Sequence, residues 1–189
     1  MVARTSAVLA SLLSLAAFAG PPVGEKPKSV KLEKNEGGRV TGDPWSSDEI
    51  KGKVFVLFYV DPDFADLNNP ATEALKAENF TADKYQSIAV INMAATWLPN
   101  FAIDGKLKEK QKAYPDTIYV RDIHKLLVKE WKLADDQSDL VVFDQAGKVL
   151  YVHEGKLDAA AIKTMLEVIK SHFPKPAEAA PVEPAPAAP

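Results

Sequence analysis

Asp61, Asp63 and Asp66 stand close together after a strongly hydrophobic run, and the segment Asp135-Asp136-Gln137-Ser138-Asp139 is acidic and polar in the same way. Carboxylates brought together on neighbouring loops are the oxygen donors that a hard cation such as Ca²⁺ takes. An enzyme working without a thiol could use such a cation to assist its chemistry. The spacing is not that of an EF-hand loop, because Ala65 takes a ligand position and the required glycine is missing. Asp is also a residue of turns and helix caps, which needs no ligand. Convergence separates the two readings. A cation site requires Asp61, Asp63 and Asp66 to meet at one point with Asp135 or Asp136, and capping roles do not.

Other reactive groups are sparse. The three histidines, His124, His153 and His172, include no pair at metal-ligand spacing such as i and i+4. Ser138 lies in the second acidic segment without an evident His partner, and no G-x-S-x-G elbow is present. Gly37-Gly38 reads as a turn, since no glycine-rich phosphate loop surrounds it. The chain has no cysteine, so thiol redox chemistry is excluded. Trp45, Trp97 and Trp131, with Tyr59 and Phe64, could line a groove, although large aromatics are more often core. Phe64 differs from these by its place inside the acidic loop, where an exposed ring could anchor a partner.

The hydrophobic pattern defines the elements that must position these groups. Lys53 to Val60 (KVFVLFYV) is a continuous β-branched and aromatic run, as in a strand buried on both faces. Asp61-Pro62-Asp63 ends it. Asn69 is placed to cap a helix starting at Pro70 and running through Asn79. Ser87 to Met93 is a second strand, Asn100 to Ala113 a helix with a Lys-rich second half, and Thr117 to Arg121 a third strand. Leu126 to Leu133 fits a short strand or a helical turn. Leu140 to Phe143 and Lys148 to His153 flank Asp144-Gln145-Ala146-Gly147, which predicts a hairpin. Asp158 opens a final amphipathic helix with Ala161, Ile162, Met165, Leu166 and Ile169 on one face. The order β-α-β-α-β, then β-β-α, predicts an α/β fold with a mixed central sheet flanked by helices.

Both ends differ from this core. Arg4 followed by the apolar run Ala7 to Phe18 and by Ala17-Phe18-Ala19 has the form of a secretory signal peptide over residues 1–19, cleaved before Gly20. Its apolar run is short for a membrane span. Residues 20–28, rich in Pro, Gly and Lys, read as a flexible lead-in, and 29–173 as the folded domain of about 145 residues. Residues 174–189 hold six of the chain's 14 prolines and read as a disordered Pro/Ala tail. The formal charge is −3, and loss of Arg4 with the leader makes it −4. That balance lacks the basic surface required for nucleic-acid binding. A soluble protein of the bacterial periplasm is expected, with an envelope protein or peptide as its partner.

The element order resembles the thioredoxin-like fold in its peroxiredoxin and TlpA branch. Gly52-Lys53 with Val54 to Tyr59 is similar to the strand entering the redox loop, and Leu140 to Asp144 with Gly147-Lys148-Val149 to the hairpin after the cis-proline. Within that superfamily, Ala94 to Tyr151, containing ATWLPNFAIDGKLKEKQKAYPDTIYVRD and KEWKLADDQSDLVVFDQAGKVLY, resembles the YtfJ family of exported thioredoxin-like proteins. The resemblance spans about Ser29 to Phe173. Where relatives of the wider superfamily carry Cys-x-x-Cys, this chain reads Asp61-Pro62-Asp63-Phe64-Ala65-Asp66, and Ser138 stands at the cis-proline position. The resemblance therefore implies a redox-inactive domain whose former active-site face, 61–66 with 135–139, binds a polypeptide or small ligand. The other class of function left open is the cation-assisted enzyme.

Overall fold

The computed structural model describes residues 20–173. The expected leader (1–19) and Pro/Ala tail (174–189) lie outside the described residues. In chain order the strands are β1 (Lys31–Leu32), β2 (Gly37–Arg39), β3 (Trp45–Ser46), β4 (Val54–Val60), β5 (Tyr85–Asn92), β6 (Thr117–Asp122), β7 (Ser138–Phe143) and β8 (Val149–His153). The helices are α1 (Asn69–Ala77), α2 (Asn100–Ala113), α3 (Leu126–Trp131) and α4 (Ala159–Ser171).

A six-stranded sheet in the order β2-β6-β5-β4-β7-β8 forms the centre, and β1 pairs with β3 in a small second sheet. β4, β5 and β6 run parallel, while β7, β8 and β2 are antiparallel to their neighbours. Every residue of β4 is buried. The cause is cover on both sides. Val54, Val56, Phe58 and Val60 pack with Leu75 of α1, Ile103 and Leu107 of α2, and Met165 and Ile169 of α4. Phe55, Leu57 and Tyr59 pack with Leu127 and Trp131 of α3 and with Val30 and Trp45 of the N-terminal segment. Burying one such side chain stabilises by roughly 1.5–3 kcal/mol, so this strand anchors both halves of the core.

Three local readings change on folding. Residues 20–28 are not a loose lead-in: Gly20 N–H donates to the Lys132 carbonyl at 2.8 Å, and Gly24 and Glu25 exchange backbone bonds with Val149 at 2.8 and 2.9 Å. The Trp131 indole N–H then donates to the Lys28 carbonyl at 2.8 Å. Composition reports chain stiffness, but here unpaired backbone groups at the start of β8 recruit the segment. Gly37-Gly38 is not a free turn either. It forms β2 against β6, with φ of +128° and +123°. A β-carbon on Gly37 would run into the Arg121 carbonyl, so only glycine allows this approach. Finally, Asn68 rather than Asn69 precedes α1, and its side chain makes no cap bond because it is committed elsewhere.

The ambiguous stretch after β6 is a helix. Asp122 at the end of β6 accepts the N–H groups of Leu126 and Leu127 at 2.8 and 3.0 Å, satisfying two donors at the start of α3. Lys125 and Lys132 bracket it in the left-handed region, with φ of 57° and 60°. Asp158 caps α4 as its sequence predicts, accepting from Ala161 N–H at 2.8 Å.

Candidate functional site at the carboxyl edge of the sheet

Because β4 and β5 are parallel and β7 runs the other way, the end of β4, the end of β5 and the start of β7 meet at one edge. Val60 pairs with Ile91 and with Ser138 there. Open α/β sheets place ligands outside this edge. The topology thus brings the 61–66 loop beside the 135–138 loop, and the Asp61 N–H donates to the Gln137 carbonyl at 3.0 Å.

The aspartates at this edge do not share a target. Asp61 is 3% exposed and caps a single 3₁₀ turn, Pro62–Phe64, by accepting the Asp63 N–H at 2.8 Å. Asp63 accepts the Thr96 hydroxyl at 3.0 Å, and Asp66 the Asn69 amide at 3.2 Å. Asp135 pairs with the Lys125 ammonium at 2.7 Å and accepts the Asn92 amide at 2.9 Å. Among the described residues, no three His, Asp or Glu side chains are grouped so as to hold a metal ion. Asp136 and Asp66 are exposed, Asp135 is half-buried, and Ser138 is buried within β7.

Charge is nevertheless concentrated here. Burial pushes the Asp61 carboxyl above its ordinary value; the Asp63 N–H partly offsets this, and the charges of Asp63, Asp136 and Asp135 push it further up. At Asp135 burial also opposes ionisation, but the Lys125 and Asn92 hydrogen bonds and the Lys125 charge outweigh it and lower that carboxyl.

Beneath the rim lies a buried polar layer. The Asn68 amide donates to the Ser138 carbonyl and hydroxyl, both at 3.2 Å, and to the Gly155 carbonyl at 3.0 Å, while its oxygen accepts the Leu157 N–H at 2.9 Å. One side chain thereby ties the loop before α1 to the start of β7 and to the β8–α4 connection. On the other face the Tyr59 hydroxyl donates to Asp122 at 3.1 Å. Burial first, then the charge and hydrogen bond of Asp122, hold the Tyr59 phenol far above its ordinary value. Asp139 is 1% exposed; one of its oxygens accepts the Ala134 N–H at 2.6 Å, and the other has no hydrogen-bond partner among the described residues. Burial raises this carboxyl to about 6, against the opposing pull of the Ala134 and Gly155 amides.

Aromatic side chains crown the rim. Trp45, Trp131 and Tyr59 are core, at 1%, 2% and 1% exposed. Phe64 stands out at 43%, and beyond it Trp97 and Phe101 are 86% and 78% exposed.

No cysteine stands anywhere on this edge, and the fold around it can be compared with known proteins. A family described as "Bacterial protein of unknown function (YtfJ_HI0045)" matches residues 23–172. The chain belongs to this family. An uncharacterised protein of Haemophilus influenzae is 32% identical over 130 residues, covering 67% of this chain and 70% of that protein. The uncharacterised protein YtfJ of Escherichia coli is 24% identical over 155 residues, covering 79% and 82%. Solved structures agree on the fold. A thiol-disulfide isomerase from Corynebacterium glutamicum aligns with a TM-score of 0.55 at 16% identity, covering 82% of this chain and 97% of that one. The pneumococcal exposed lipoprotein thioredoxin of Streptococcus pneumoniae aligns at 0.53 and 18%, covering 76% and 99%. This YtfJ-family chain is therefore thioredoxin-like in fold, without the thiols that give those two proteins their names.

Sequence reasoning places the loops correctly and misses several residues that organise them. All partners of the Asn68 side chain lie far along the chain, and Asn92 and Asp122 add to their local bonds one distant partner each, Asp135 and Tyr59. Phe101 left a usable signal: α2 buries Ile103 and Leu107, and Phe101 falls off that stripe.

Proposed function

We propose that this is an exported, redox-inactive binding module of the bacterial periplasm, and that it holds a polypeptide or small ligand on the former active-site face. The contact residues are Asp63, Phe64, Asp66 and Asp136, with Asp61, Asp135 and Ser138 supporting them from below. The observation that carries the reading is the exposed Phe64 on a 3₁₀ turn pinned by Asp61, at the place where thioredoxin-like relatives hold their redox loop. A pinned turn presents its aromatic at low entropic cost, which favours recognition. No helix among the described residues is long and apolar enough to cross a membrane. Export and cleavage after Ala19 fit the docking of Gly20, the expected mature start, on the Lys132 carbonyl.

A photo-cross-linking amino acid at position 64, compared in living cells with one at the exposed Lys51, which precedes β4 at the opposite edge of the sheet, tests the proposal. A discrete adduct at 64 that disappears with Asp63→Ala and Asp66→Ala supports it. Equal labelling at both positions would overturn it.

A further inference from the structure

We infer that the ligand of this face is a cationic polypeptide segment, extended and carrying Arg or Lys beside apolar residues. The inference rests on the binding face proposed above and names its partner's chemistry. Two features combine to carry it.

The first is a run of solvent-facing rings with no core to serve. Trp97 is 86% and Phe101 78% exposed. The Thr96 hydroxyl donates to Asp63 at 3.0 Å, so the β5–α2 loop is tied to the 61–66 loop one residue before Trp97 and one before Phe64. Both rings therefore leave from the same junction, and Phe101 follows on the first turn of α2. Grouped exposed aromatics of this kind are the ordinary mark of an interaction surface.

The second is charge. Among the described residues, Asp61, Asp63, Asp66 and Asp136 take part in no ion pair, and the Lys125 ammonium beside them is engaged by Asp135. The rim carries negative charge without compensation, next to flat π surfaces. Arg and Lys satisfy both at once: the charged head meets carboxylates, and the stem or guanidinium plane lies on a ring. An acidic segment would meet repulsion on the carboxylate side. The four lysines of α2 (Lys106, Lys108, Lys110 and Lys112) follow toward the opposite end of that helix. They set a boundary that a cationic segment would not cross.

The test titrates the isotope-labelled mature chain (residues 20–189) with a synthetic peptide of about twelve residues alternating Arg with Leu and Ser. A second peptide has Glu in place of each Arg, and vesicles of anionic phosphatidylglycerol serve as a third probe. The expected result is amide shifts from the Arg peptide confined to residues 61–66, 94–101 and 135–138. Affinity should fall at least ~10-fold with Trp97→Ala plus Phe101→Ala. It should also fall several-fold with Asp63→Asn plus Asp66→Asn and when salt rises from about 50 to about 300 mM. Melting temperatures of these variants separate lost binding from lost fold. If the Glu peptide binds this face as tightly, the cationic assignment is overturned while the binding face stands. If neither peptide shifts these residues, the polypeptide assignment is overturned, and the cross-linking at position 64 decides the face by itself. Trp97-dependent binding to the vesicles with no response to the Arg peptide would replace the polypeptide by a lipid surface.

Discussion

The Asn68 amide holds the carbonyl and the hydroxyl of Ser138, both at 3.2 Å, across a separation of 70 residues. Ser138 stands at the start of β7 beside Val60, and the same amide reaches the Gly155 carbonyl. The candidate face is thereby mounted on a fixed base rather than on free loops. Asn68→Ala would remove the side-chain acceptor of the buried Leu157 N–H and the amide donor to the Ser138 and Gly155 carbonyls and the Ser138 hydroxyl. A loss of about 3 kcal/mol is expected in urea unfolding, since each orphaned buried group costs about 1–3 kcal/mol. A loss below about 1 kcal/mol would show that water takes over these bonds.

Asp139 makes stability depend on pH in a direction opposite to that of a salt-bridged carboxylate. Its folded value of about 6 lies above the ordinary Asp value of 3.8. The fold therefore favours the protonated form. Its contribution is complete below about pH 4 and is lost as pH rises through about 6. That loss amounts to at most about 3 kcal/mol. Asp139→Asn keeps an acceptor for the Ala134 N–H and removes the charge. Chemical denaturation at pH 7.5 should find the variant more stable than the parent by about 1–2 kcal/mol, with the two nearly equal at pH 4. Parallel curves across that range would remove Asp139 as the cause.

Gly37→Ala should be among the most damaging single-methyl additions in the chain. The position combines φ of +128° with the Arg121 carbonyl lying where the methyl must go. A cost above about 2 kcal/mol is expected, compared with about 1 kcal/mol for strain in φ alone. Gly42→Ala is the control, because φ there is +104° and a β-carbon meets nothing within 4 Å. Thermal melts of the pair separate collision from backbone strain.

Trp131→Phe tests how the N-terminal segment is held. It deletes the indole bond to the Lys28 carbonyl but leaves a ring near Phe143, whose centroid lies 5.8 Å away. Stability should fall by about 1–2 kcal/mol. Hydrogen exchange at Gly24 and Val149 should speed up well before exchange in β4 does. Uniform acceleration over the whole sheet would mean that the segment and the core open together.

What the sequence determined by itself is local or compositional. The unbroken apolar run Val54–Val60 announces a strand covered on both faces, and it is buried at every position. Asn100–Ala113 reads as a helix and is one, because propensity and the buried pair Ile103 and Leu107 agree. The absence of cysteine closes thiol chemistry whatever the fold. Tertiary structure decided the rest. Three aspartates within residues 61–66 look like a ligand set, yet each binds a different donor, and two of those donors are nearby in the chain and one on another strand's loop. Trp45, Trp97 and Trp131 are alike as residue types, but only the folded topology sends two into the core and one to the rim. Asn68 has partners 70 to 89 positions away, and no periodicity encodes such a pairing. Periodicity reports which face of an element is buried; only chain crossing reports what is buried against it.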